Sequence, residues 1–293
     1  MRSSWVKVSG AELPAVLIGT SPFIGAGQFG PRALLYQARF FGKPSAVAEV
    51  ISAAVELGVM GVQALPYPFI VEAIRRVEAE TGLELVVVAT LGPDDPSGDV
   101  GLFDGLDVRA FLMHGALTDG PRWPGLEELM EEARSSGALA GYVTHRPMRA
   151  LERIGSGDLP RPDIVMLPFN AIGYMMDAPA EALVSELERL GLRAIAKKVL
   201  AAGRLRPEEA FRFVLQYDTI SALAIGVASA REARETFGIL ADLLASGRGP
   251  GHGRMTAGAE GRWLGRWAPP HPDSACGSGL TANGPAYGRR ARY

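Results

Sequence analysis

The strongest constraint in this sequence is a repeated alternation between short apolar runs and longer amphipathic stretches. Runs such as AVLIG (15–19) and LVVVAT (85–90) are rich in β-branched residues, while the intervening SAVAEVISAAVELG (45–58) has apolar residues at helical spacing. Alternating patterns of this kind are typical of βα units around a parallel sheet, whose strands are buried on both faces. The alternation occurs eight times and predicts a (β/α)8 TIM barrel, which is an α/β fold.

Eight strands are predicted, and three glycines mark helix ends between them. The predicted strands are 15–19, 60–64, 85–90, 108–114, 139–144, 163–169, 193–197 and 220–226. Gly58, Gly137 and Gly191 follow predicted helices, where a left-handed residue commonly ends a helix. The segment between the third and fourth strands, LGPDDPSGDVGLFDGLD, is rich in Gly, Pro and Asp, so the third helix is predicted to be short.

Composition narrows the class of protein. A chain of 293 residues with 47% hydrophobic and 21% charged residues can bury a large core. Its formal net charge of -2 favours a small-molecule substrate and no nucleic acid. Charges and glycine interrupt every apolar run near the N-terminus, so neither a signal peptide nor a membrane contact is predicted. The single cysteine, Cys276, excludes an internal disulfide, and we expect a cytoplasmic location. The oligomeric state does not follow from the sequence.

The composition changes after Ser246, and this change divides the chain. Residues 1–246 are predicted to form the barrel, whereas residues 247–293 are rich in Gly, Pro and Arg and lack periodic apolar residues. A segment of that composition cannot bury enough apolar surface to fold, so a disordered tail is predicted.

Two segments in the C-terminal half resemble a known family. LGLRAIAKKVLAAGRL (190–205) and SALAIGVASAREARETF (221–237) resemble the seventh and eighth strands of the aldo/keto reductases with the loops that follow them. In that family these loops hold the phosphates of NADP, so the resemblance implies NADP as cofactor. Backbone N–H groups at a helix N-terminus are suited to bind such an anion. The residues implied in cofactor binding are Lys198, Leu200, Ala201, Gly203, Ala228 and Ser229, with Arg231 or Arg234 as counter-charge, together with Thr144 and Asn170.

The resemblance also identifies catalytic candidates. Aldo/keto reductases reduce carbonyls with a tyrosine that is tuned by a lysine and an aspartate, while a histidine orients the substrate. In this sequence His114 matches the histidine and Tyr67 lies one residue away from the position of the tyrosine. Gln63 and Leu91 replace the aspartate and the lysine. His114 and Tyr67 are therefore the catalytic candidates of a divergent NADP-dependent oxidoreductase, or of an anion-binding barrel that has lost the usual reduction.

Polar residues at the strand ends leave two other functions open. In TIM barrels the active face is formed at the C-terminal ends of the strands. His114, His145 and Lys198 lie there and would suit a lyase or hydrolase that acts on a phosphorylated or carboxylated metabolite. A non-catalytic metabolite-binding protein is the other alternative. The sequence lacks closely spaced histidine pairs, so no metal site is predicted.

Two local expectations concern the mouth of the barrel. Adjacent residues of a strand face opposite sides, so only one of Lys197 and Lys198 is expected to point into the mouth. The glycine-rich loop GTSPFIGAGQFG (19–30) is predicted to cover the mouth, with Gln28 and Phe29 facing a substrate.

Overall fold

A computed structural model describes residues 5–245 of the chain and contains the predicted barrel. Within these residues, two short strands form an antiparallel hairpin and eight parallel strands close into a barrel. The hairpin consists of β1 (Trp5–Val8) and β2 (Ala11–Pro14). The barrel strands are β3 (Val16–Gly19), β4 (Gly61–Ala64), β5 (Val86–Leu91), β6 (Asp107–Met113), β7 (Leu139–Val143), β8 (Ile164–Pro168), β9 (Ala194–Lys197) and β10 (Ile220–Gly226). Strands β3 to β10 follow one another around the barrel in chain order, and β10 closes it by pairing with β3.

Helices surround the barrel, as expected for βα units. They are α1 (Arg32–Phe40), α2 (Pro44–Val55), α3 (Pro68–Thr81), α4 (Pro96–Leu102), α5 (Gly115–Asp119), α6 (Leu126–Ser135), α7 (Pro147–Ser156), α8 (Ala180–Leu190), α9 (Pro207–Val214) and α10 (Ala230–Ala245). The prediction of a short third helix is confirmed, because α4 has only seven residues. The glycines predicted to end α2, α6 and α8 have left-handed φ values of 85°, 85° and 61°.

The N-terminal hairpin was not predicted, and it closes one end of the barrel. Its turn residues, Ser9 and Gly10, have φ values of 47° and 87°, as a two-residue hairpin turn requires. Val6, Val8 and Leu13 belong to one buried cluster with inward-facing barrel residues such as Leu17. The hairpin therefore shields the amino ends of the barrel strands from water.

A second, larger apolar cluster lies between the barrel and the helices. Strand residues alternate between the two clusters: on β5, Val88 belongs to the interior cluster, while Val87 and Ala89 belong to the outer one. This alternation explains the near-continuous apolar strands in the sequence. No helix within residues 5–245 has both the length and the apolar character needed to cross a membrane. The predicted tail, 247–293, lies outside the described residues.

Candidate functional site

Polar side chains replace apolar ones where the barrel strands reach their carboxyl ends. Gln63, Thr90, His114 and Lys197 line one cavity there, whose volume is about 200 Å³. Gln63 Nε2 donates a hydrogen bond of 3.0 Å to Thr90 Oγ1, and both residues are buried. On the β4 and β5 side, the cavity wall is therefore polar but uncharged.

His114 follows the end of β6 and faces the cavity. Its Nδ1 accepts a hydrogen bond of 3.2 Å from the backbone N–H of Ala116. Burial lowers the pKa of His114 and the neighbouring Lys197 lowers it further, while Asp119 acts in the opposite direction. The ring is therefore neutral near pH 7, and since Nδ1 is an acceptor, Nε2 carries the proton.

Two lysines and a second histidine form a cluster at the same cavity. The Nζ of Lys198 lies 2.8 Å from Nδ1 of His145, and the Nζ of Lys197 lies 3.4 Å from the same atom. All three side chains line the cavity. The expectation that only one lysine points into the mouth was wrong. Lys198 lies just beyond β9 and has a left-handed φ of 58°, so the strand alternation no longer applies to it.

The environment of this cluster disfavours positive charge. Burial lowers the pKa of Lys198 to about 8, although the carboxylate of Asp119 acts in the opposite direction. Burial and the adjacent Lys198 also lower the pKa of Lys197 well below its usual value. Burial and both lysines lower the pKa of His145. The cluster can therefore hold an uncharged amine and a proton donor side by side near neutral pH.

Asp119, at the end of α5, fixes the backbone on which His145 is placed. Its Oδ2 accepts a hydrogen bond of 2.7 Å from the backbone N–H of His145, and its Oδ1 accepts one from Thr144 Oγ1. Thr144 Oγ1 also accepts a hydrogen bond of 2.9 Å from the N–H of Arg146. Thr144, a predicted cofactor contact, is thus buried and bonded within the protein, outside the described cavity lining.

The loop after β9 has a strained backbone. Lys198, Ala201 and Ala202 adopt left-handed φ values of 58°, 47° and 55° without being glycine. Strain of this kind is concentrated at functional sites, where the surrounding structure maintains it. Leu200 and Gly203 of this loop, both predicted cofactor contacts, line the cavity, whereas Ala201 is buried outside the described lining.

The start of α10 is capped by residues of the chain itself. Ser229 Oγ accepts a hydrogen bond of 3.0 Å from the N–H of Glu232, and Glu232 Oε2 accepts one of 2.8 Å from the N–H of Ala228. This reciprocal arrangement is similar to a capping box, except that the carboxylate accepts from the residue before the N-cap and not from the N-cap itself. Ala228 and Glu232 both line the cavity. The Glu232 carboxylate therefore binds the backbone N–H that the sequence analysis assigned to a phosphate. The predicted counter-charges lie elsewhere: Arg231 is exposed, and Arg234 pairs with Glu56 at 2.9 Å.

The glycine-rich loop covers the mouth, and Gln28 and Phe29 line the cavity. The phenol of Tyr174 donates a hydrogen bond of 2.8 Å to the carbonyl oxygen of Gln28. Arg32 also lines the cavity, and its guanidinium donates to the carbonyl oxygen of Ala202 at 2.5 Å. These contacts join the loop to the segments that follow β8 and β9.

Tyr67 and Asn170 lie outside the described cavity lining. Tyr67 precedes α3 and packs against Phe41 and Phe69, with ring centroids 5.9 and 5.7 Å away. The side chain of Asn170 bonds both to the N–H and to the carbonyl oxygen of Tyr174, so it shapes the loop after β8. The structure therefore brings together His114, Lys198, Leu200, Gly203 and Ala228, but neither of these two residues joins them.

Arg32, Tyr36 and Glu232 are among the lining residues that had no role in the sequence-based site. A signal for the lysine cluster was nevertheless present in the sequence. The whole chain contains four lysines, Lys7, Lys43, Lys197 and Lys198, beside 26 arginines. Two of these four lysines are consecutive at the end of one strand. This placement indicates a need for an amine, which arginine cannot supply.

The two histidine rings at the site are 6.4 Å apart, centroid to centroid. Within residues 5–245, no three His, Cys, Asp or Glu side chains are grouped as metal ligands. Asp95, which lies after β5 at the same end of the barrel, caps α4 by accepting a hydrogen bond from the N–H of Gly98.

No protein-family model matches this sequence, and no curated protein matches it either. Solved structures of low sequence identity do match this chain. An aldo-keto reductase of Bombyx mori, solved in complex with NADP, superposes with a TM-score of 0.58 at 17% identity, covering 82% of this chain and 88% of that one. This chain has the aldo/keto reductase fold.

Two further structures show the same likeness. MGS-M4, an aldo-keto reductase from a deep-sea metagenome library of the Medee basin, gives a TM-score of 0.56 at 13% identity over 80% of this chain and 88% of that one. The aldo-keto reductase AKR2E5, complexed with NADPH, gives 0.56 at 15% identity over 81% and 83%. At these identities the shared property is the fold, and function depends on the residues at the site.

Proposed function

We propose that this protein is a divergent, cytoplasmic NADP-dependent oxidoreductase that reduces a small carbonyl compound. One observation carries the proposal: a single cavity joins the loops after β9 and β10 to His114, His145 and the two lysines. Two structures of the same fold contain NADP or NADPH. The position of the cavity, at the carboxyl ends of the barrel strands, is where TIM-barrel enzymes carry out their chemistry.

The residues present fit a phosphate-bearing cofactor. The Glu232 carboxylate, to which the Ala228 N–H donates a hydrogen bond, stands in for the anion of a ligand. Two cations, Arg32 and Lys198, and the amine of Lys197 line the cavity together with this one carboxylate. Bound NADPH would supply the hydride. Leu200, Gly203 and Ala228 would hold its phosphates once Glu232 moves away, because a phosphate and a carboxylate compete for the same donor.

The proton required for reduction comes from residues other than a tuned tyrosine. Lys198, whose pKa is lowered by burial to about 8, is a stronger acid near neutral pH than an ordinary lysine. It contacts His145 and lines the cavity, so it delivers a proton to the carbonyl oxygen directly or through that ring. The Nε2–H of His114 donates a hydrogen bond to the same oxygen and orients the substrate.

The test combines nucleotide binding with turnover. We expect NADPH to raise the melting temperature of the wild type and small aldehydes and keto acids to be reduced slowly. Lys198→Met should lower kcat by about 100-fold or more, the contribution of a general acid. Lys7→Met is the matched control, because Lys7 is exposed at the opposite end of the barrel.

Two results would contradict the proposal. The absence of any thermal shift at millimolar NADPH would exclude the cofactor. Unchanged turnover in Lys198→Met, together with a loss of turnover in Tyr67→Phe, would show that the proton comes from outside the cavity.

A further inference from the structure

Lys197 is placed as a nucleophile. It is the last residue of β9, and strand register puts it beside Pro168 of β8 and Ala224 of β10. The cavity wall next to it is formed by small residues, including Gly19, Ala224 and Gly226. Small neighbours leave space at the Nζ atom for a substrate carbon to approach.

The amine has the surroundings that nucleophilic lysines require. A second amine, on Lys198, contacts the same His145 ring, and a nearby like charge favours the uncharged form of Lys197. An uncharged amine retains the lone pair that attacks a carbonyl, whereas an ammonium does not. The lowered pKa of Lys197, which follows from burial and from this neighbour, agrees with the geometry.

The charges around the cavity indicate the class of substrate. Arg32 and Lys198 line it as cations, and Glu232 is the one carboxylate among the lining residues. Glu232 already accepts a hydrogen bond from the Ala228 amide, so we do not assign it the role of an acid. A carbonyl compound with a carboxylate or a phosphate matches this excess of positive charge.

We propose that Lys197 is a catalytic residue that forms an imine with an anionic carbonyl compound bound in this cavity. The Nζ lone pair attacks the carbonyl carbon, and the oxygen takes one proton from the attacking amine to give a carbinolamine. A second proton, from the Lys198 ammonium, converts that hydroxyl into water, which leaves. The products are water, a protonated imine on Lys197 and an uncharged Lys198 amine.

This activity goes beyond the proposed reduction, because it needs no nucleotide. A protonated imine accepts the electron pair of a bond that breaks at the adjacent carbon. The reaction class that it serves is therefore that of a lyase acting on a carboxylated or phosphorylated carbonyl compound.

Reductive trapping tests the imine directly. The full-length protein is incubated without nucleotide with pyruvate or dihydroxyacetone phosphate, and with the uncharged acetone or dihydroxyacetone, in the presence of cyanoborohydride. Intact mass and peptide mapping then locate the adduct, and the four lysines of the chain make the assignment unambiguous. We expect one adduct, on Lys197, formed about tenfold faster from the charged probe of each pair, which corresponds to one good charge contact. The faster of the two charged probes identifies carboxylate or phosphate as the anionic group.

Variants separate chemistry from folding. Lys197→Met removes the nucleophile without placing a charge in the cavity, so it should lose the adduct while retaining its melting temperature. Lys198→Met should slow trapping about 100-fold and remove its decline above pH 8, because the proton donor is gone. Lys7→Met should trap like the wild type.

An adduct spread over Lys7, Lys43 and Lys198, or no adduct on Lys197, would overturn the imine. Since mapping uses the wild-type protein, this result does not depend on whether a variant folds. NADPH binding without trapping would leave only the reductase proposal, and trapping without NADPH binding would leave only the imine.

Discussion

The two ends of the barrel are built on the same strands but have opposite character. At the amino ends, Val6 and Leu13 of the hairpin pack on interior apolar residues. At the carboxyl ends, the interior carries amides, hydroxyls, imidazoles and amines. The inward-facing residues change from apolar to polar between Ile195 and Lys197 on β9, and between Val88 and Thr90 on β5. Two residues of a strand span about 7 Å, so the packed layer and the reactive layer are adjacent. Stability and chemistry are therefore divided along the barrel axis, and each end can be perturbed separately.

The largest effect on stability is expected at the hairpin end. Leu13 is fully buried, and Leu13→Ala should lower the free energy of unfolding by about 2 to 5 kcal/mol through lost burial and a cavity. NADPH affinity and imine trapping should not change in the folded fraction. Leu83→Ala is the matched control, because Leu83 is exposed. Chemical denaturation measures both variants, and a loss of trapping in folded Leu13→Ala would show that the two ends are coupled.

The carboxyl end should respond to pH through Lys198. Its pKa is about 8 in the folded protein and 10.5 in the unfolded chain. Between these values the unfolded chain binds more protons, so stability should rise with pH across this window by up to about 3 kcal/mol. Urea unfolding of wild type and Lys198→Met at pH 7 and at pH 10.5 isolates this contribution. A constant difference between the two proteins would mean that Lys198 titrates normally. Reduction should decline above pH 8 as the acid is lost.

A smaller effect is expected at the start of α10. Glu232→Gln keeps the size of the side chain but removes the charge that competes with a phosphate at the Ala228 amide. We expect NADPH to bind about tenfold more tightly, a gain of about 1.4 kcal/mol, as measured by calorimetry. Glu235→Gln, an exposed change one turn along the same helix, is the control. Weaker binding in Glu232→Gln would assign the carboxylate to the cofactor site itself.

The smallest effect concerns the exposed pair of Arg234 and Glu56. Their side chains are 53% and 57% exposed, so the ion pair contributes little in water. Arg234→Ala should change the free energy of unfolding by less than about 0.5 kcal/mol and should leave NADPH affinity unchanged. A clear loss of affinity in a titration would restore the counter-charge role that the sequence suggested.

The barrel strands could be predicted from sequence because burial on both faces leaves a continuous apolar run, as in β5 and β10. The hairpin escaped prediction because its four-residue strands show too little alternation to be distinguished from a loop. Its one signal was the Ser9–Gly10 pair, which fits a tight turn.

The position of a site residue could be predicted only where the direction of its side chain follows from the alternation along a strand. His114 follows β6 and faces the cavity as expected. Lys198 did not obey the same rule, because its direction depends on a left-handed backbone that no periodicity encodes. Arg32 and Tyr36 reach the cavity only because the covering loop folds back over the mouth, which is a tertiary effect.

The left-handed backbone of Lys198 also affects how this protein would respond to engineering. A non-glycine residue in that region costs roughly 1 kcal/mol, and burying the Lys198 ammonium costs more. Selection for heat resistance alone, in the laboratory or by a design algorithm, would therefore favour glycine at this position. A thermostable variant obtained in that way would keep its barrel and lose its proton donor, so a screen for improved forms of this protein must include activity.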